Sequence, residues 1–120
     1  MRSFANSSRG PTRGRSGIEK PAIVAPGVNI HAGRAGTATE IDLAANGLSG
    51  TSYAAPHVAG AVALALSARS KVPGKQQLNS AQIDQALKRS ARHFTGRWNH
   101  TTGFGELNVV DLLREIARIP

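Results

Sequence analysis

Fifteen consecutive residues, Ala54 to Ala68, carry no charged side chain when His57 is neutral, and nearly all are small or aliphatic. A helix that is apolar around its whole circumference is stable only inside a protein, with other elements packed on every side. Ala59, Gly60, Ala61, Ala63 and Ala65 let neighbouring backbones approach closely. That helix sets a demand that a chain of 120 residues must meet with whatever other elements its sequence provides.

Those elements are few. Residues 1–20 hold Gly10, Gly14, Gly17 and Pro11 among Ser and Arg, the pattern of a surface loop. Residues 22–30, Ala-Ile-Val-Ala-Pro-Gly-Val-Asn-Ile, read as a strand and turn, interrupted at Pro26-Gly27. Residues 31–50 are small and polar without periodicity and read as loop. The apolar segment predicts a helix over 52–68. Asn79-Ser80 offers an N-cap for a helix over 80–92, in which Ile83, Ala86, Leu87 and Ala91 form one stripe and Lys88, Arg89 and Arg92 suit the C-terminal end of the dipole. Residues 103–119 read as a short strand and a closing helix capped by Asn108, with Leu112, Leu113, Ile116 and Ala117 on its apolar face. Two amphipathic helices and one or two short strands cannot surround an all-apolar helix. Covering layers are missing.

Composition narrows the class. Cysteine is absent, which excludes a disulfide framework, a zinc ribbon and a cysteine nucleophile. The longest uncharged apolar run, Val58 to Leu66, is far short of the ~18–20 residues of a membrane span, and no signal-peptide pattern follows Met1. The net charge of +8 lies in two basic zones, residues 1–34 and 69–97, flanking a neutral centre. Basic residues interleaved with stacking aromatics, as nucleic-acid binding requires, do not occur, so the zones read as solvated surface and nucleic acid is not an expected partner. His93 and His100 stand seven residues apart with no acid between them, and no metal site is expected.

Chemistry concentrates in Gly50-Thr51-Ser52-Tyr53-Ala54-Ala55-Pro56-His57-Val58-Ala59-Gly60. Gly50 permits a turn immediately before the helix, and Thr51 follows it. Ser52 then sits at the helix N-terminus, where free N–H groups and the positive end of the macrodipole converge. An oxyanion formed by attack of Ser52 on an acyl group would meet both. Pro56 lacks the N–H that would bond the Ser52 carbonyl and so loosens the first turns. His57 is five residues from Ser52 on the same helix, roughly 140° around the axis at ~100° per residue. Its imidazole cannot bond the Ser52 hydroxyl, and it reads as a packed, hydrogen-bonded structural histidine. His31, His93 and His100 read as exposed.

The undecapeptide resembles the active-site serine segment of the subtilisin-like serine peptidases, the subtilases. The likeness continues in order along nearly the whole chain. Phe4 through Ser8-Arg9-Gly10-Pro11 is similar to that family's Phe-Ser-Ser-Arg-Gly-Pro, and Lys20-Pro21-Ala22-Ile23-Val24-Ala25-Pro26-Gly27 to its Lys-Pro-Asp-Ile-x-Ala-Pro-Gly, with Ala22 where an acid is common. Gly103-Phe104-Gly105-Glu106-Leu107-Asn108 resembles the segment before the last helix of the domain.

The resemblance implies an α/β fold: the C-terminal portion of a three-layer domain, with a mainly parallel sheet and helices on both faces. It implies a serine endopeptidase acting on proteins or peptides through an acyl-enzyme on Ser52, with the Ser52 N–H as oxyanion donor. Gly50, Thr51 and Pro56 would support the nucleophile turn. The family's triad Asp and His match no segment here, since no His-Gly dipeptide occurs and the only histidine before Ser52 is His31. The oxyanion Asn position falls upstream of residue 1. Residues 1–120 therefore read as a fragment expected to be inactive alone and to need the N-terminal part of the catalytic domain as its partner. No cofactor is implied; calcium is a possibility for the parent enzyme, without ligands identified in this sequence. The parent is expected to be secreted or extracytoplasmic. Three other readings stand beside this one: an inactive remnant, a basic binding module, and an α/β-hydrolase-type esterase in which Ser52, Asp84 and His93 or His100 follow that fold's order. The last is weakened by the polar stretch Ile41–Asn46, where a buried strand should precede the nucleophile.

Overall fold

The computed structural model describes residues 5–13, 17–33, 41–42 and 47–120. Its elements are β1 (Ala32–Gly33), β2 (Ile41–Asp42), α1 (Thr51–Ser70), α2 (Ser80–Ser90) and α3 (Val109–Arg118). α3 packs against both α1 and α2. The core is small: Ala61 and Ala65 of α1, Ala86 of α2, and Leu112 and Ile116 of α3, flanked by Val62, Leu78, Leu87, Leu107, Val109, Leu113 and Ile119.

The helix boundaries follow from local chemistry. The Asn79 side chain accepts the Gln82 N–H while the Gln82 side chain accepts the Asn79 N–H, a reciprocal cap that fixes the start of α2. The Asn108 side chain accepts the Asp111 N–H and starts α3 in the same way. α2 ends at Ser90, two residues before the expected Arg92. Ala91 turns extended (φ −60°, ψ 141°), and Arg92 exchanges backbone hydrogen bonds with Glu106, N–H to O at 2.8 and 3.1 Å.

Neither expected strand forms a ladder. Residues 22–30 contribute single bridges, Val24 parallel to Glu106 and Ile30 antiparallel to Leu48. Pro26 has no N–H to donate, and Gly27 turns to bond Gly50 instead. Residues 103–108 are likewise held by single bridges, Gly103 antiparallel to Asn99 and Glu106 between Val24 on one side and Arg92 on the other. The regular strands lie in the stretch read as loop: β1 and β2 pair antiparallel, Ala32 opposite Asp42 and Gly33 opposite Ile41. What survives of the expected mainly parallel sheet is the Val24–Glu106 contact, so the architecture is partial α/β with few strands. The expected loop of residues 1–20 is described for 5–13 and 17–20, which form turns and irregular backbone.

Gly105 is what permits the central bridge. Its φ is 143°, and a Cβ there would stand 2.3 Å from the Arg92 carbonyl oxygen. Gly105→Ala must push the Arg92 segment away at a cost of about 1–3 kcal/mol. The expected result is faster hydrogen exchange at the Arg92 and Glu106 amides with the α2 amides unaffected. Unchanged exchange at both amides would show that the bridge tolerates a side chain.

α1 buries one narrow stripe, Ala61, Ala65 and Arg69, spaced i, i+4, i+8. Val58, Val62 and Leu66 are only half-covered, and Leu64 is 54% exposed. This is the mismatch between apolar helix and available cover that the sequence implies. Arg69, counted in a solvated basic zone on sequence alone, is only 5% exposed. Its Nε donates to the Gln76 carbonyl at 2.8 Å, Nη1 to Ile116 and Ile119 at 3.0 and 2.8 Å, and Nη2 to Pro120 at 2.7 Å. Lys75 Nζ adds a bond to the Ile119 carbonyl at 2.7 Å. Of these acceptors Ile116 is one of the last carbonyls of α3, which lack partners within the helix, so the guanidinium sits against the negative end of the α3 dipole.

Candidate active site

Ser52 is the second residue of α1, and both Thr51 and Ser52 are exposed. No side chain caps this helix, and the first N–H bonded back is that of Tyr53, to the Gly50 carbonyl at 3.1 Å. The Ser52 hydroxyl and the opening N–H groups therefore share one accessible end of a 20-residue helix carrying the positive half of its dipole. Pro56 lies inside α1, so the Ser52 carbonyl lacks its i+4 donor.

A second strand of chain holds this end in place. The Gly50 N–H donates to the Gly27 carbonyl at 2.7 Å, the Asn29 N–H to Ser49 Oγ at 3.1 Å, and Ile30 and Leu48 exchange both backbone bonds at 2.9 and 3.0 Å. Gly50 itself is near full extension (φ 158°, ψ 163°), and a Cβ there would stand 3.7 Å from the nearest atom. The tight approach falls on Gly27, where a Cβ would stand 2.8 Å from the Gly50 carbonyl oxygen and 3.1 Å from Ala54 Cβ. Sequence reasoning placed a turn at both Gly50 and Pro26-Gly27 but did not connect the two, so the close approach at Gly27 was missed.

The histidines do not assemble around Ser52. His57 Nδ1 lies 2.8 Å from the Tyr53 carbonyl, which can only accept, so the proton is on Nδ1 and the ring is held back along α1. It is hydrogen-bonded, as expected, but exposed rather than packed, because the outer side of α1 has no neighbour. His31, His93 and His100 are exposed. Among the described residues no histidine is hydrogen-bonded to Ser52, and no three of His, Cys, Asp and Glu converge as a metal site would need. Among the described residues no helix is long and apolar enough to cross a membrane.

Beside Ser52 runs an open cleft of about 490 Å³, walled by the 21–28 segment on one side and by Thr51, Ala54, Ala55 and Val58 of α1 on the other, with Ser7 and Thr102 at its rim. None of its lining side chains is charged, and the polar ones are the hydroxyls of Ser7, Thr51 and Thr102.

Comparison with known proteins accounts for the arrangement. A family model described as the subtilase family matches residues 3–105. The human membrane-bound transcription factor site-1 protease is 42% identical over 112 residues, covering 90% of this chain and 10% of that protein. The CO(2)-response secreted protease of Arabidopsis thaliana is 42% identical over 88 residues, covering 68% of this chain and 11% of its own length. Among solved structures, the Prenylagaramide maturation protease PagA superposes with a TM-score of 0.63 at 28% identity, over 83% of this chain and 34% of that one. The 120 residues thus span about a tenth of the length of these curated relatives and a third of the solved chain.

Proposed function

Since this chain belongs to the subtilase family, whose members are serine peptidases, we propose that it is the C-terminal part of a peptidase domain in which Ser52 is the nucleophile and hydrolyses peptide bonds. The observation that carries this reading is the placement of an exposed serine beside free N–H groups at the uncapped start of α1. In the proposed reaction Ser52 Oγ bonds to the scissile carbonyl carbon and gives its proton to a histidine. The carbonyl π pair moves to oxygen, and that oxyanion is stabilised by the Ser52 N–H and the α1 dipole. Collapse expels the amine, which takes the proton from the histidine, and water then cleaves the acyl-enzyme by the same steps in reverse roles.

The histidine, its orienting aspartate and a side-chain oxyanion donor belong to segments outside these 120 residues. Without a base Ser52 remains a protonated, weak nucleophile at pH 7. Gly50, Thr51 and Pro56 act by shaping the approach to Ser52. Protein or peptide substrates follow from the peptidase reading, and a secreted or extracytoplasmic parent agrees with a relative that is named as secreted.

A fluorophosphonate probe tests this. The 120 residues alone are expected to remain unlabelled. Joined to an upstream subtilase segment carrying the Asp, His and Asn, they are expected to take up one equivalent, lost in Ser52→Ala. Labelling of the isolated chain at Ser52 would show a base within these residues. Absence of labelling in the joined polypeptide would favour an inactive remnant.

A further inference from the structure

We infer that Asn29 is a positioning residue for Ser52: its left-handed backbone forms a β-bulge that sets the line along which residues 49–51 enter α1. The inference rests on the nucleophile reading above and adds to it the residue that aims the hydroxyl. Asn29 has φ 56°, the one positive value at a non-glycine among the described residues. Such a conformation is uncommon outside glycine, and residues held in it cluster at functional sites.

The hydrogen bonds show what imposes it. Ile30 and Leu48 exchange both backbone bonds and are bridged antiparallel. A regular ladder would then set Val28 opposite Gly50, two residues along on each side. Instead the Gly50 N–H reaches the Gly27 carbonyl at 2.7 Å. Val28 and Asn29 therefore stand opposite Ser49 alone, and the 27–30 segment carries one extra residue. That is a β-bulge, a device that bends a strand and re-aims what it carries. The Asn29 N–H donates out of the ladder to Ser49 Oγ at 3.1 Å. Gly47 (φ 61°) closes on the same residue, since a Cβ there would stand 2.4 Å from Asn29 Cα. The Asn29 backbone is thus gripped by Gly47 and Ser49, just ahead of Ser52, while its side chain is exposed. The demand falls on the backbone. Asparagine meets it because its short polar side chain tolerates the left-handed region, which a β-branched residue does not. Losing the bulge would let the pairing slip by one residue, about 3.3 Å along a strand. A misplacement of ~1 Å can already cost 10²-fold in rate.

The test uses the polypeptide that joins these residues to an upstream subtilase segment carrying the Asp, His and Asn, with a peptide substrate. Valine is a genuine outlier at positive φ, so Asn29→Val is expected to lower kcat about 30–100-fold with KM within threefold. Asn29→Gly keeps both the conformation and the N–H and is expected to hold kcat within threefold. Ser49→Ala removes only the acceptor of the Asn29 N–H, and its loss of kcat should not add to that of Asn29→Val. Hydrogen exchange at the Ile30 and Leu48 amides should quicken at least tenfold in Asn29→Val and stay unchanged in Asn29→Gly. Where valine blocks folding, Asn29→Ala takes its place, with a smaller loss of the same kind. Glycine as damaging as valine would assign the role to the side-chain amide. Valine with unchanged kcat would free Ser52 from the bulge, and a raised KM at constant kcat would make Asn29 a substrate contact. Each of these overturns the proposal. Ser52→Ala decides the nucleophile reading separately: an enzyme that works through Ser52 and is indifferent to Asn29→Val fails this inference alone.

Discussion

Replacing Ser52 by alanine, in a polypeptide joining these residues to the upstream part of a subtilase domain, is expected to lower kcat about 10⁶-fold, the size that holds for subtilisin itself. The unfolding midpoint should stay within about 2 °C, because Ser52 is exposed and exposed substitutions away from caps and buried networks fall within about 0.5 kcal/mol. The pairing of the two readouts is what makes the test specific. A fall in both would mean that the serine is structural. Activity within tenfold of the unaltered protein would remove Ser52 from the role of nucleophile.

The largest effect on stability is expected at Arg69. Its guanidinium satisfies four backbone carbonyls at the junction of α1, the 71–79 loop and the end of α3. Arg69→Met keeps the bulk of the stem but removes the donor, leaving the buried Ile116 bond unmade and Ile119 with Lys75 alone. The expected cost is about 1.5–3 kcal/mol, the range for hydrogen bonds made by a charged group, against a total of about 5–15 kcal/mol for a domain. Lysine should recover only part of it, since a single ammonium cannot reach four acceptors arranged around a planar fork. Hydrogen exchange across Leu112–Arg118 is the direct readout: the methionine variant should exchange at least a hundredfold faster. An α3 that exchanges at the original rate would show that Lys75 alone holds its end.

Helices were the legible part of this sequence because their signals are local. The Asn79 cap, the Asn108 cap and the apolar run after Ser52 lie within a few residues of the elements they define. Pairing was not legible. Glu106 meets Val24 and Arg92 across separations that no local pattern encodes, and β1 and β2, at two residues each, are too short to show alternation. Arg69 was misread for a related reason. A basic residue in a last helical turn ordinarily serves the dipole of its own helix, whereas here it serves the end of α3, 47 to 51 residues away. Of the site, the serine and its helix could be read from motif and spacing. The contact that positions them, at Gly27, could not, because steric demand at a glycine is a property of what folds against it.

The two fixed points of α1 also make it a cantilever. Ser52 and Arg69 are seventeen residues apart, or about 26 Å at 1.5 Å per residue, with the clamp at one end and the reactive hydroxyl at the other. A rod of that length turns a 5° tilt at its mount into roughly 2 Å at its tip, more than the ~1 Å misplacement that can cost 10²-fold in rate. The 2.7 Å bond from Gly50 to Gly27 is the tip's counter-stay and the seat of Ala61 and Ala65 on α3 a bearing between them, so the aim of the hydroxyl is set jointly by contacts spread along the longest element of the described residues.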